Sequence, residues 1–443
     1  MRILQYTLGL SPYRRGGLPR YSTDLSLELA KNNKVTLLYP GKMYFINSDK
    51  IIFKSKKSKY PFKVVEMENP LPVSLGLGIN ESAPYMQKRS KKNIINFLKK
   101  LSPDVIHIHT FMGLPKEFLE VAKKLNIKTI YTTHDFYGLC PKMLSKNPIK
   151  NLKERKCTYD CMLCKNGPSL NKIKIMQSHM YMHLKEKSFV KKIRKKQKAE
   201  ISNSTNGEKE IISSIQEIKA RYLLRIYYQE MFNLITEFHF NSSVSEKYIR
   251  TFLPKVQGKV LNITHTGLSN KKSKKKKFTS NIIKLGYVGP YDEKKGFFLL
   301  CDVLKKLRNY HSNFEIHFYG DILNNSFFDK KWVFNHGILS SDQMYSAYEN
   351  IDVLIMPSLW HETFGFSVLE ALSYGDVCLV SKNVGAKDLI MPTNIFNTKS
   401  DLFNILNKMM SSPSDVLNKM SLSKELPLNF AKHVKSLMDT FYK

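Results

Sequence analysis

The sequence is short of cysteine, tryptophan and acidic residues for its length. Six of its 443 residues are Cys and 2 are Trp. Six cysteines in a chain of this size do not suggest a disulfide framework of the kind that holds small secreted proteins together. No apolar stretch reaches the roughly 18–20 residues that a membrane-spanning helix needs. The opening MRILQYTLGL is typical of a buried strand rather than a secretory signal, so we expect a cytoplasmic protein.

The shortage of acidic residues leaves a formal net charge of +34, from 71 Lys and Arg against 37 Asp and Glu. Such an excess favours an anionic partner, which could be nucleic acid, an anionic membrane face or an anionic substrate. A composition biased toward Lys, Asn and Ile would give the same charge with no binding role. Nucleic acid is disfavoured, because the KKSKKKK run at 271–277 has no interleaved aromatic residues for base stacking.

Two stretches of the chain show the same alternation of apolar strands and helical patterns. The first begins with a strand at 2–8 and a loop that contains Gly16 and Gly17, and the second begins with a strand at 282–288. The alternation predicts an α/β protein with two Rossmann-like domains that face each other across a ligand cleft. We place the first domain at 1–268 with an insertion at about 140–235, a Lys-rich linker at 269–280, the second domain at 281–425 and a C-terminal helix at 426–443.

The stretch PSLWHETFGFSVLEALSYG, at 357–375, is a candidate binding site. A short apolar strand leads into it and a helix leaves it, so backbone N–H groups and the positive end of the helix dipole meet in the loop. That arrangement suits a phosphate. Glu362 and Glu370 would repel an anion that they touched, so we expect them to bind hydroxyl groups beside it. The alternative is a surface helix with two solvated carboxylates.

The insertion has two features of its own. Cys140, Cys157, Cys161 and Cys164 could provide four ligands for a structural zinc ion, or they could be reduced thiols in a loop. The segment 173–198 is rich in Lys, with apolar residues at helical spacing. It could lie on an anionic bilayer or pack on the domain with its lysines in solvent.

These motifs, taken in order, resemble the retaining glycosyltransferases of family 4, which have the GT-B fold. Glu362 and Glu370 stand at the two ends of the family's Glu-x7-Glu element. GYVGPYDEKKG and SKNVGAKDLI are similar to two loops of its nucleotide-binding half, and PDVIHIHT and TTHDFYGLCP to segments of its first half. LNFAKHVKSLMDTFYK resembles the C-terminal helix that returns to the first domain in that family.

The resemblance implies a UDP- or GDP-sugar donor and assigns roles to single residues. Glu370 would bind the ribose hydroxyls, Glu362 would face the donor sugar and Lys295 would neutralise the leaving diphosphate. His134 would lie near the reacting sugar. No cofactor is required if Lys295 and a helix end neutralise the charge. The implied catalytic residues are His134, Glu362 and Lys295, and the implied donor-binding residues are Gly16, Gly17, Lys295, Glu362, Phe364, Gly365, Phe366 and Glu370.

The sequence departs from the family pattern at Pro290. In the family, an Arg usually follows the glycine that corresponds to Gly289. Lys294 could replace that charge, or the chain could be a catalytically silent subunit. If the chain is catalytically active, we expect a retaining hexosyltransferase. It would glycosylate a hydroxyl of a saccharide or lipid-linked acceptor in bacterial surface polysaccharide or glycolipid assembly. The positive charge favours a peripheral position on the inner face of the plasma membrane. A different GT-B enzyme, such as a sugar-nucleotide epimerase, is a further alternative.

Overall fold

The structure is a computed structural model, and it describes residues 1–11, 14, 16–46, 48–74, 79–139, 168–184, 214–268, 280–420 and 424–443. The four cysteines of the predicted zinc site, the KKSKKKK run at 271–277 and the basic residues from 185 to 198 lie outside this part of the chain. The predictions for them therefore stay predictions.

An eight-stranded sheet forms the first half of the chain, with the order β3-β4-β2-β1-β5-β6-β7-β8. All the pairings from β4 through to β7 are parallel, and β3 joins antiparallel at the edge. Because central parallel strands are covered on both faces, they are buried along their length, as Val105 to Ile108 is. The strands are β1 Arg2–Tyr6, β2 Lys34–Pro40, β3 Ile52–Lys56, β4 Lys63–Glu68, β5 Val105–Ile108, β6 Lys128–Thr132, β7 Glu237–Phe240 and β8 Gly258–Val260.

The helices of this half include the connections between the parallel strands. They are α1 Gly17–Leu29, α2 Lys91–Leu101, α3 Lys116–Lys124, α4 Leu170–Met176, α5 His179–Leu184, α6 Ile215–Asn233 and α7 Ser243–Phe252, with a 3-10 turn at Ala83–Met86.

The basic segment that begins at Ile173 does not form a single helix in its described part. It breaks between α4 and α5, where the Gln177 side chain accepts a hydrogen bond from Val73 N at 2.9 Å and donates one to Gly41 O at 3.2 Å. Ile173 is buried whereas Met180 is 70% exposed, so the apolar residues do not share one buried face. The tertiary contacts of Gln177 override the helical spacing that the sequence suggests.

A six-stranded parallel sheet forms the second half, with the order β11-β10-β9-β12-β13-β14. Its strands are β9 Ile283–Val288, β10 Phe314–Tyr319, β11 Val333–Asn335, β12 Val353–Met356, β13 Val377–Ser381 and β14 Ile395–Phe396. Its helices are α8 Phe297–Arg308, α9 Ser341–Glu349, α10 Phe366–Tyr374, α11 Lys399–Ser411, α12 Pro413–Met420 and α13 Phe430–Leu437, with 3-10 turns at Ser326–Asp329, Gly385–Leu389 and Pro392–Asn394 and a final π-helical turn at Met438–Tyr442.

The chain divides into two compact units, and the α/β prediction with two mostly parallel sheets is confirmed. The first unit comprises Met1–His239, Ile249–Gly258 and Tyr442, and the second comprises Phe240–Tyr248, Lys259–Phe441 and Lys443. The predicted domain limits, the cleft between the domains and the returning C-terminal helix stay predictions. Each unit has loops at the carboxyl ends of its parallel strands, which is where such sheets bind ligands.

Candidate functional site

Two loops of the second unit are joined by the backbone carbonyl of Lys294. β9 and β12 are parallel neighbours, so the loops that follow them leave the same edge of the sheet. The Lys294 oxygen accepts hydrogen bonds from the backbone N–H groups of Leu359 and Trp360, both at 2.9 Å. Gly296 begins α8 at φ 76°, and a Cβ there would lie 1.9 Å from the Pro357 oxygen. Only glycine permits this approach. It brings the residue between Lys294 and Gly296 close to the loop that follows β12.

That residue is Lys295, and its ammonium group forms an ion pair with the Glu362 carboxylate. The Ser358 hydroxyl donates to the same carboxylate oxygen at 3.1 Å. The two side chains are 26% and 15% exposed, so the pair is partly shielded from water but open on one side. The structure therefore brings together the two second-unit residues that the sequence assigns to catalysis.

The loop between Glu362 and α10 is held by a neighbouring segment. Glu362 forms an isolated parallel bridge with Val384, and Ala386 N donates to Phe364 O at 2.7 Å. Gly365 caps α10 at φ 103°, and Phe366 is the first residue of the helix. The first N–H groups of a helix have no partner within it, and they carry the positive end of its dipole. The predicted diphosphate residues thus lie at a helix start, and Glu362, the partner of Lys295, lies in the loop that leads into it.

Glu370 lies one turn into α10, and two buried side chains hold its carboxylate. His265 Nε2 donates to one oxygen at 3.1 Å, and the Tyr348 hydroxyl donates to the other at 2.8 Å. Burial, with a contribution from Glu370, raises the pKa of Tyr348 well above its usual value, so the phenol keeps its proton. Each carboxylate oxygen has two lone pairs, so Glu370 can accept further hydrogen bonds from a diol in this fixed orientation.

Pro290 leaves no cation at the position after Gly289. The Pro290 carbonyl accepts a hydrogen bond from the Tyr287 hydroxyl at 2.6 Å. The nearby Lys294 side chain is 43% exposed and lies 3.8 Å from an Asp292 carboxylate oxygen. Its ammonium is thus partly offset by a carboxylate, and the role of Lys294 as a replacement stays a prediction.

In the first unit, the predicted residues lie at the start of α1 and after β6. Gly16 caps α1 at φ 127° and Gly17 is its first residue, both exposed. His134 follows the end of β6 and is partly exposed. The Tyr21 ring, one turn into α1, lies 4.9 Å from the His134 ring. The helix start and His134 are therefore neighbours at one sheet edge.

The groups around His134 are shifted toward their neutral forms. Burial, and secondarily the positive charge that His239 can take, lower the pKa of His134 to about 3. Burial also raises the pKa of the adjacent Asp135 to about 6, although the Tyr137 N–H donates to its carboxylate at 3.0 Å. At neutral pH, His134 is an uncharged imidazole that can donate and accept hydrogen bonds.

Three further side chains could hold a cation by geometry. The ligand atoms of Glu66, Glu68 and His179 all lie within 4.8 Å of one another, and this is the one such group in the described part of the chain. However, Lys56 Nζ lies 2.6 Å from Glu66 and Lys42 Nζ 3.3 Å from Glu68. Two ammonium groups already balance the two carboxylates, so the charge of the group requires no metal.

Sequence reasoning missed the partners of these residues. His265 and Tyr348, which hold Glu370, are far from it in the chain, and nothing local marks them. The buried strand DVIHIH gave one usable signal, because the histidines at 107 and 109 alternate within an apolar strand. Both are fully buried, and buried imidazoles require hydrogen-bond partners.

Two family models match the two halves of the chain. Residues 15–159 match the model described as Glycosyltransferase Family 4, and residues 269–419 match the model described as Glycosyl transferases group 1. The chain resembles the family 4 glycosyltransferases. This confirms the resemblance that the Glu-x7-Glu element and its companions predict.

Among curated proteins, the glycogen synthase of Lachnospira eligens is similar to part of this glycosyltransferase-like chain. The two are 26% identical over 161 residues, which is 35% of the chain and 33% of the synthase. The chain therefore matches about a third of the length of that relative.

Solved structures share the fold over nearly the whole chain. Sucrose-phosphate synthase from Thermosynechococcus elongatus has a TM-score of 0.52 at 13% identity, with 99% of this chain and 96% of that chain covered. An UDP-forming α,α-trehalose-phosphate synthase from Burkholderia xenovorans has a TM-score of 0.57 at 9% identity, covering 99% and 98%. The E. coli trehalose-6-phosphate structure bound with UDP-2-fluoro glucose has a TM-score of 0.55 at 10% identity, covering 100% and 99%. At these identities the likeness establishes the GT-B fold alone.

None of the helices described in the structure is long and apolar enough to cross a bilayer.

Proposed function

We propose that this chain is a glycosyltransferase that moves a sugar from a nucleotide-sugar donor to a hydroxyl acceptor with retention of configuration. The observation that carries the proposal is the ion pair of Lys295 with Glu362 beside the start of α10. Glu370, held by two buried donors one turn further on, supports it as a ribose ligand. The family resemblance supports the retaining mechanism by analogy.

The ion pair has a direct chemical use in sugar transfer. Cleavage of the anomeric bond leaves positive charge on the sugar and negative charge on the diphosphate. When a diphosphate reaches the helix start, it competes with Glu362 for the Lys295 ammonium. Lys295 and the α10 N–H groups then stabilise the leaving group. The released Glu362 carboxylate faces the positive charge on the sugar.

A nucleotide-binding titration tests the donor half of the proposal. We expect UDP or GDP to bind, and Glu370→Gln to weaken the binding about tenfold, since a hydrogen bond to a charged group is worth roughly 1.5–3 kcal/mol. Inorganic pyrophosphate has no ribose, so its affinity should not change in this variant. Lys295→Ala should weaken both ligands. Glu349→Gln, an exposed carboxylate at the end of α9, is the matched control. An equal loss of nucleotide and pyrophosphate affinity in Glu370→Gln would contradict the ribose role.

Product analysis by NMR tests the transfer itself. A panel of UDP- and GDP-sugars with hydroxyl acceptors should give a glycoside whose anomeric configuration matches that of the donor. Epimerised donor in the absence of acceptor would indicate the alternative GT-B chemistry. If donor binds but is not consumed with any acceptor, and Lys295→Ala leaves pathway output in cells unchanged, the silent-subunit alternative that Pro290 suggests is correct.

The net charge of +34 supports a saccharide or lipid-linked acceptor at an anionic membrane, as part of bacterial surface polysaccharide or glycolipid assembly. The protein would then act in the cytoplasm as a peripheral protein on the inner face of the plasma membrane. Sedimentation with vesicles tests this location. We expect binding to phosphatidylglycerol vesicles that weakens with salt, and little binding to phosphatidylcholine vesicles. Equal binding to both would remove the membrane part of the proposal.

A further inference from the structure

A line of hydrogen-bonded side chains leads away from His134 into the interior of the first unit. His134 Nε2 lies 3.1 Å from His109 Nδ1, and His109 Nε2 lies 2.7 Å from Gln5 Oε1. His109 and Gln5 are fully buried, whereas His134 is partly exposed. His134 is thus more exposed than the two residues behind it.

The line continues to the penultimate residue of the chain. Gln5 Nε2 donates to the Tyr442 hydroxyl at 3.0 Å, and that hydroxyl lies 2.7 Å from His107 Nδ1. His107 Nε2 is 2.5 Å from the Thr132 hydroxyl, which is 2.9 Å from His239 Nδ1. Tyr442 is 3% exposed and packs with the first unit. Each step in this line joins two protein groups with complementary hydrogen-bonding capacity.

The sheet explains why these side chains meet. Gln5 of β1 is in register with His107 of β5, and Thr132 of β6 with His239 of β7. His109 is two residues beyond His107 and continues the same face, with the two rings stacked at 4.4 Å. A row of polar groups on one face of a buried sheet is stable only when each finds a partner, so the set acts as one unit.

The Gln5 carboxamide sets the direction of the protons. Its oxygen can only accept, so His109 carries a proton on Nε2 and its Nδ1 is an acceptor. His134 must then donate from Nε2, which leaves Nδ1 as the acceptor nitrogen of its ring. At the other end, the carboxamide N–H occupies the Tyr442 oxygen, and the Tyr442 proton points to His107. Burial, and secondarily the neighbouring histidines, hold the pKa of His109 well below its usual value, so both rings of the pair are neutral.

We propose that Tyr442, through Gln5 and His109, is a positioning residue that holds His134 as the neutral tautomer with its proton on Nε2 and its acceptor on Nδ1. The inference rests on the proposed function and on the family resemblance, which implies that His134 lies near the reacting sugar. A residue at position 442 thereby controls a group that it does not touch. Without the Tyr442 hydroxyl, the carboxamide can turn over, so that its N–H faces His109 and the opposite tautomers of both histidines become available.

Tyr442→Phe is the decisive variant, because it removes the hydroxyl and keeps the ring that packs edge-on against His107 at 5.7 Å. We expect kcat to fall roughly tenfold with little change in KM, and the effect to disappear in a His134→Ala background, since residues of one network are not additive. Tyr227→Phe is the matched control. It also removes a buried hydroxyl, which accepts a hydrogen bond from the Lys116 N–H at 2.8 Å. It should lower Tm by a similar amount and leave kcat unchanged. Additive losses in the double variant would overturn the proposal.

A second readout does not depend on turnover. In protein with ¹⁵N-labelled histidine, the ring nitrogen shifts report which nitrogen of His134 carries the proton. We expect Nε2 to be protonated in the native protein and in Tyr227→Phe, and a mixture of tautomers in Tyr442→Phe. An unchanged His134 tautomer would overturn the proposal even if kcat fell. If the protein transfers no sugar, the proposed function fails while the tautomer measurement still decides the role of Tyr442.

Discussion

The two units carry different chemistry on comparable sheet edges. In the first, the residues beneath His134 are buried, neutral and linked by hydrogen bonds, and the pKa values of His109 and His134 are lowered by burial. In the second, the loops present ions, with Lys295 paired to Glu362 and the Glu370 carboxylate held by two donors. A neutral network fixes direction without attracting charge, whereas an ionic site stabilises charge that develops. The contrast agrees with the proposed function, in which the charged groups of the second unit neutralise a diphosphate.

Removal of the Lys295 ammonium group should be the most damaging change to the charged site of the second unit. We expect Lys295→Ala to lower kcat about 10²- to 10³-fold, since one lost contact to a developing anion costs roughly 2.7–4 kcal/mol of transition-state stabilisation. Lys294→Ala, next to it and 43% exposed, should change kcat less than about threefold. Steady-state kinetics with the donor identified by titration measures both. If the Lys294 variant loses as much as the Lys295 variant, the charge is shared and Lys294 replaces the missing Arg.

The glycines that begin α1 and α10 give a comparison of backbone strain between the units. An alanine in place of Gly365 would have to adopt φ 103°, and its Cβ would lie 3.2 Å from Val384 Cγ1 and 3.3 Å from Met356 Sδ. An alanine in place of Gly16 would have to adopt φ 127°, and the nearest atom to its Cβ, Pro19 Cδ, would lie 3.7 Å away. Strain at positive φ costs about 1–3 kcal/mol, and crowding adds to it only at Gly365. In urea unfolding, Gly365→Ala should therefore destabilise more than Gly16→Ala, and the reverse order would show that the α10 loop can relax.

Acid should weaken the hydrogen-bonded network around His134 in the first unit. Histidine in the unfolded chain titrates near its usual pKa of about 6.5, so the stability gained by keeping His109 and His134 neutral is complete above that pH and is lost as pH falls toward about 3. Each proton contributes a slope of roughly 1.4 kcal/mol per pH unit. Asp135, with its pKa raised to about 6, works in the opposite direction, because its neutral form is favoured as pH falls from 6 to about 3.8. Across that range, the free energy of unfolding therefore still falls with decreasing pH, with a slope equivalent to about one proton.

Hydrogen exchange at pH 7 and pH 5 locates this loss. After correction for intrinsic rates, we expect the amides of β5 and β6 to lose protection at pH 5. The second unit has a similar half-buried ring in His361, with its pKa lowered to about 4, mainly by burial and also by Lys247 and Lys382. His134→Gln should flatten the pH dependence by about one proton. Unchanged protection of β5 and β6 at pH 5 would contradict this acid sensitivity.

Much of the architecture could be predicted because it depends on local pattern. Apolar strands between helices are visible in the sequence, and so is the loop from 357 to 365 that leads into α10. The two side chains that hold Glu370 could not be predicted, because nothing local marks them. His265 is 105 residues from Glu370, and Tyr348 is 22 residues from it. The helical spacing after Ile173 was misleading, since Gln177 contacts Val73 and Gly41 and breaks the helix.

The sequence alone determined the class of fold, the two halves and the Glu362 to Glu370 element, because hydrophobic periodicity and loop chemistry act over a few residues. The tertiary structure decided which groups are charged, which are neutral and what each one holds. Strand pairing placed Gln5 opposite His107, and a hydrogen bond across 437 positions joined Gln5 to Tyr442. The physical reason is that pKa values and tautomers depend on burial and on neighbours in space, and parallel pairing brings such neighbours from remote segments of the chain.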